Sequence, residues 1–147
     1  MPAVASSSRQ RPSHPRWNVI VGGPATHVYS FVINNKCIDH WAGIIYEELH
    51  GTKLPPQTTK GGRTAYMASC SMVSTTLPTR IYREFPSIPR LWQRMILLPN
   101  CDGYLLVLKD NRTPATTTTK LDPKDVQGIR EKLNLGKQRP RWRPIPL

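Results

Sequence analysis

Proline sets the first limit on what this chain can fold into. Fifteen of its 147 residues are proline, spread from Pro2 to Pro146, about twice the usual share. Each proline removes a backbone donor and fixes φ, so it is tolerated at the first turn of a helix, at strand edges and in loops, and disfavoured inside a helix. The sequence therefore predicts loops, strand ends and short helices. Hydrophobic residues make up 38 %, lean beside the ~45–50 % of an ordinary globular domain. With two arms set aside, roughly 118 residues remain, enough for one domain of modest stability.

The charge is concentrated at the two ends. The formal net charge is +12, from 21 Lys and Arg against 9 Asp and Glu. Arg9, Arg11 and Arg16 lie in an N-terminal stretch without acids, and Lys137, Arg139, Arg141 and Arg143 in a C-terminal one. The sequence divides into a disordered basic arm at residues 1–16, a single domain at 17–136, and a basic Pro/Arg/Trp tail at 137–147. Arms of this composition bury too little apolar surface to order themselves, and their charge suits a polyanion or an anionic surface. Three widely spaced cysteines, Cys37, Cys70 and Cys101, give no disulfide framework and point to a reducing compartment. No apolar run approaches the ~18–20 residues that span a bilayer, and residues 19–21 are too short for a signal-peptide core. The acid-free start has a transit-peptide flavour, but Pro12, Pro15 and Pro24 oppose the amphipathic helix such a peptide needs.

Patterning predicts an α+β fold: a small, mostly antiparallel sheet with two helices, flanked by disordered basic arms. Residues 17–21 read as a short strand and 27–33 as a better one, rich in β-branched and aromatic side chains. Residues 38–50 carry Ile38, Trp41, Ala42, Ile45 and Leu49 on one helical face, with Gly51 placed to cap the end. Residues 52–63 read as a loop. Alternation of Tyr66, Ala68, Cys70 and Met72 with polar neighbours predicts a half-buried strand over 64–77, with 79–85 as its neighbour. Asp102-Gly103 between two apolar runs predicts a hairpin. The four threonines 116–119 read as a loop. Asp122, Pro123 and Asp125 announce a second helix, with Leu121 and Val126 as its staple and Gly136 as its stop.

Between residues 53 and 94, Lys53, Lys60, Arg63, Arg80, Arg83, Arg90 and Arg94 are accompanied by a single acid, Glu84. The residues expected to bind nucleic acid or an anionic surface are Arg9, Arg11, Arg16, Lys60, Arg63, Arg80, Arg83, Arg90, Arg94, Lys137, Arg139, Arg141, Trp142 and Arg143. Arginine pairs with phosphate through two parallel N–H donors, and an indole stacks on a base or sits at a lipid interface. Gly61-Gly62-Arg63 lacks the strand-to-helix setting of a phosphate-binding loop. Cys37 and His40 are two ligands, too few for a zinc site. No spaced set of nucleophile, base and orienting group is present, so no enzymatic activity, cofactor or metal is expected.

Residues 27–33 run as a strand into a helix bearing Asp39-His40-Trp41 and Ile44-Ile45-Tyr46; Gly62-Arg63-Thr64-Ala65-Tyr66 and a bend at Phe85-Pro86 follow. This layout, over residues 27–110, resembles that of rhabdovirus matrix proteins, although Pro55-Pro56-Gln57-Thr58 is not the Pro-Pro-x-Tyr motif of many members. The resemblance implies a self-associating structural protein that condenses ribonucleoprotein and binds the inner face of an anionic membrane, located in the virion and at the host membrane periphery. The alternative is a small ribosomal or organellar ribonucleoprotein component whose basic extensions bind RNA. The expected partners are thus ribonucleoprotein or RNA, an anionic membrane surface, and further copies of the chain.

Overall fold

The structure, a computed structural model, describes residues 25–91 and 94–146. The strand expected at residues 17–21, and the arm with Arg9, Arg11 and Arg16, lie outside the described residues. The elements run β1 (His27–Ile33), α1 (Asn35–His50), α2 (Lys60–Glu84), β2 (Met95–Leu97), β3 (Tyr104–Asp110), α3 (Pro114–Thr118), α4 (Pro123–Lys132) and β4 (Arg141–Pro144). The four strands form one antiparallel sheet in the order β2-β3-β1-β4. The fold is α+β, as the patterning predicts.

Strand alternation builds a core on each side of the sheet. Phe31 and Ile33 of β1, with Leu106 and Leu108 of β3, pack against Ile38, Trp41, Ala42 and Ile45 of α1, Val73, Leu77 and Ile81 of α2, and Ile129 of α4. On the opposite side Val28, Leu105 and Val107 cluster with Leu91. The β1–β3 register shifts between Tyr29 and Ser30: Tyr29 faces Lys109 while Ser30 faces Val107. Leu108 is the extra residue of this bulge, and Lys109 thereby stays on the Tyr29 side of the sheet.

Helix α1 starts where Asn34 accepts a hydrogen bond from the Cys37 amide at 2.9 Å. It ends at Gly51, whose φ of 72° is the left-handed cap expected of it. Leu49, expected on the core face, is instead 57 % exposed.

Helix α2 is the largest correction. Residues 64–77 and 79–85 are not strands; one helix of 25 residues runs from Lys60 to Glu84 through Pro78, with Phe85 as its C-cap. Its buried line is Gly62, Ser69, Val73, Leu77, Pro78 and Ile81, a helical stripe in which glycine and serine replace apolar residues. Thr59 caps the start by accepting from the Gly62 amide at 2.9 Å. A side chain at Gly62 would overlap the Pro56 carbonyl, so the Gly61-Gly62 pair, expected in a loop, opens the helix, and Gly62 lets the preceding chain lie against it. An interior proline costs a helix about 3 kcal/mol; here burial of Leu77, Pro78 and Ile81 offsets it.

The β2–β3 hairpin forms as expected, but through a longer turn than Asp-Gly alone. A 3-10 turn spans Pro99–Cys101, with Asn100 and Cys101 at φ 61° and 58°. Gly103, at φ 125°, has no room for a side chain because the Ile33 carbonyl lies against it.

Two expectations for the C-terminal third are overturned. The threonine loop contains α3, started by a Thr113–Thr116 capping box with Pro114 in the first turn. The expected tail at 137–147 is not outside the domain, because β4 pairs with β1 from His27↔Pro144 to Ser30↔Arg141. An edge position suits a strand that carries arginines and a proline. Helix α4 keeps the expected Asp122 cap and Pro123 start, but ends at Lys132, before Gly136, with Asn134 at φ 54° in the turn that leaves it.

Candidate functional site

The bulge in β3, the end of α3, the capped start of α4, and the return of the chain into β4 converge on one cleft. It has a volume of about 1030 Å3, at the top of the ~300–1,000 Å3 range of small-ligand sites. Among the described residues, Tyr29, Leu121, Pro123, Val126 and Pro140 supply apolar surface, Lys109, Lys120, Arg130 and Arg139 supply four cations, and Asp122 is the one carboxylate.

Each wall is held by its own hydrogen bonds. Lys109 is a buried residue, and its ammonium donates to the Thr119 carbonyl at 2.9 Å. It lies 5.3 Å from the centre of the Tyr29 ring and 5.6 Å from that of Trp142, and those rings contact each other at 5.6 Å. Burial pushes the Lys109 pKa below its ordinary value. One Asp122 oxygen accepts from the Lys124 amide at 2.9 Å, and the Asp122 amide donates to the Ser87 hydroxyl. Asp125 does not close a capping box; it accepts from the Ser87 amide at 3.0 Å. The segment from 133 to 140 is pinned twice. Arg130 Nε donates to the Gln138 carbonyl at 2.7 Å. The Gln138 side chain accepts from the Val32 amide and donates to the Val32 carbonyl at 2.6 and 3.1 Å, extending the β1 edge pairing beyond β4.

The structure brings together few of the expected site residues. Arg139, exposed, lines the cleft, and Trp142 stands behind Tyr29 and Lys109. Arg141 is exposed on β4, while Arg143 donates to the Ser30 carbonyl at 2.7 Å; Lys137 is exposed in the preceding turn. The basic group in the middle of the chain lies elsewhere and is partly used up. Arg80 pairs with Glu48 and lies 5.7 Å from the Trp41 ring centre. Arg94 lies over Tyr82 at 4.9 Å and donates to the Thr79 hydroxyl. Arg83 and Arg90 are exposed, and Lys60 and Arg63 sit in the first turn of α2. Because 79–84 is helical, Arg80, Arg83 and Glu84 share one side of α2, where a strand would have put Arg83 opposite the other two. Lys109, Lys120, Arg130 and Tyr29 were missed by sequence reasoning. They are isolated in sequence, and only the β3 bulge and the β4 pairing gather them.

A second surface is built from different elements. Tyr46, Leu49 and His50 of α1 and Lys60, Ala65, Ala68 and Met72 of α2 line an open groove. Leu49 is 57 %, Met72 38 % and the nearby Met67 68 % exposed. Among the described residues, no three His, Cys, Asp or Glu side chains come together as metal ligands, and no helix is long and apolar enough to cross a membrane.

Comparison with protein-family models, curated proteins and solved structures finds no match to this chain.

Proposed function

We propose that the protein is a non-enzymatic RNA-binding component of a ribonucleoprotein assembly. The observation that carries this reading is the cleft, which among the described residues is lined by four cations, one carboxylate and five apolar side chains. Phosphates supply most of the affinity of nucleic-acid binding through displaced counterions, and a concave cationic site suits a strand better than a flat lipid surface. The polar groups in the cleft support binding better than proton transfer: Lys109 is held by the Thr119 carbonyl and Asp122 by the Lys124 amide. Fluorescence anisotropy with labelled RNA across a salt titration tests the reading. Log affinity should fall linearly with log salt concentration; absence of binding at 50 mM salt would overturn it.

The matrix-type reading has its own observation in its favour. The exposed Leu49 and Met72, which line one groove with Lys60, combine apolar and cationic groups, as surfaces that meet anionic lipid do. In this role the protein bridges ribonucleoprotein to an anionic membrane and self-associates. Flotation with liposomes should then show binding to acidic lipid that Met72→Asp abolishes and that neutral lipid lacks. Equal flotation with both lipids, or none, would count against it.

A further inference from the structure

We infer that the cleft takes a single RNA strand, phosphates on its cationic rim and a base on its apolar floor, in preference to duplex. This deepens the RNA-binding reading and rests on it. The floor decides the matter. Tyr29, Leu121, Pro123, Val126 and Pro140 lie within the same cleft as Lys120, Arg130 and Arg139. A duplex presents phosphates outward and keeps its bases stacked inside, so it would meet the rim and leave the floor empty. A single strand can turn a base out of its stack and lay it on apolar or aromatic surface while its phosphates stay in the charged groove.

The groups have distinct parts. Lys120 and Arg139 are exposed and reach the outer phosphates. Arg130 has its Nε on the Gln138 carbonyl and another nitrogen on the Gln127 side chain, so it offers its charge in a fixed position. Lys109 holds the back wall through Thr119 and the Tyr29 and Trp142 rings.

Three RNAs of equal length test the inference: an unstructured oligouridine, a blunt duplex, and an abasic strand. The full chain should bind oligouridine at least ~5-fold more tightly than the abasic strand, since a stacked base contributes measurably, and more tightly than the duplex. Each phosphate contact on a single strand adds about 0.7 to the salt slope. Between 1 M and 0.15 M salt that is ~0.6 log units, or about 4-fold in affinity per contact. The double variant Lys120→Ala/Arg139→Ala should therefore lose about 15-fold for oligouridine at 0.15 M salt, and its slope should fall by about 1.4. Lys36→Ala/Lys53→Ala, with the same charge change at exposed positions away from the cleft, should lose less than 3-fold. Far-UV circular dichroism confirms that both variants fold. Equal binding of oligouridine, duplex and abasic strand would overturn the single-strand inference and leave RNA binding standing. So would equal losses in the two double variants. Failure of the wild-type chain to bind any RNA would overturn both.

Discussion

Replacing Trp142 with alanine separates a strand from a solvated tail. In the sheet, Trp142 is half-buried, pairs with Tyr29 across the β1–β4 ladder, contacts its ring at 5.6 Å and meets the Lys109 ammonium at 5.6 Å. A fully buried tryptophan removes about 150–250 Å2 from water. Half of that, at about 25 cal/mol per Å2, is ~2–3 kcal/mol. The aromatic contact adds about 0.5–1 kcal/mol, and the cation a similar amount. Terms that share atoms do not add fully, so the expected loss is about 2–4 kcal/mol. With a urea slope of about 2 kcal/mol per M, the unfolding midpoint should fall by ~1–2 M. Far-UV circular dichroism is the right probe, because the substitution removes a fluorophore. Arg141→Ala, on the same strand but exposed, should stay within ~0.5 kcal/mol of wild type. A Trp142→Ala midpoint unchanged within 0.25 M would refute the assignment of β4, and with it the back wall of the cleft.

Asn34→Ala removes the side-chain acceptor for the Cys37 amide and should cost about 1 kcal/mol in urea unfolding. Burial pushes the Cys37 thiol up to about 11, whereas Cys101 is exposed; thiol labelling at pH 8 should modify Cys101 rapidly and Cys37, which is half-buried, much more slowly until the chain unfolds. The Cys37 shift also fixes a sign. The native state holds this proton more tightly than the unfolded chain, so its contribution is present below about pH 9 and is lost as pH rises through about 11. A Cys37→Ser variant should lose that part of the alkaline decline in stability.

The parts of the fold legible in the sequence are those in which local chemistry and tertiary packing agree. Strand β1 has strong β formers, α1 has a cap at each end and an apolar stripe, and α4 has Asp122 and Pro123 at its start. Helix α2 was hidden because its buried stripe includes Gly62 and Ser69, while Met67 and Met72, which look like core, face outward. Alternation of small and apolar residues over 66–72 then imitates a strand, and Pro78 argues against any helix until its burial is known. Helix α3 carried a usable signal, since Thr113-Pro114 followed by Thr116 is a helix start. In β4 the Arg-Trp-Arg alternation is that of a strand, but three residues between Pro140 and Pro144 read equally well as a charged tail. The cleft was not legible at all. Lys109, Lys120 and Arg130 become neighbours of Arg139 only after a bulge and an edge-strand pairing that no local pattern encodes.

The central claim is the location of the RNA site, and ultraviolet crosslinking tests it most directly. A short oligouridine crosslinked to the full chain and mapped by peptide mass spectrometry should mark Tyr29, residues 120–126 and residues 139–142. Crosslinks confined to the α1–α2 groove around Tyr46, Lys60 and Met72, with the cleft unmarked, would contradict it.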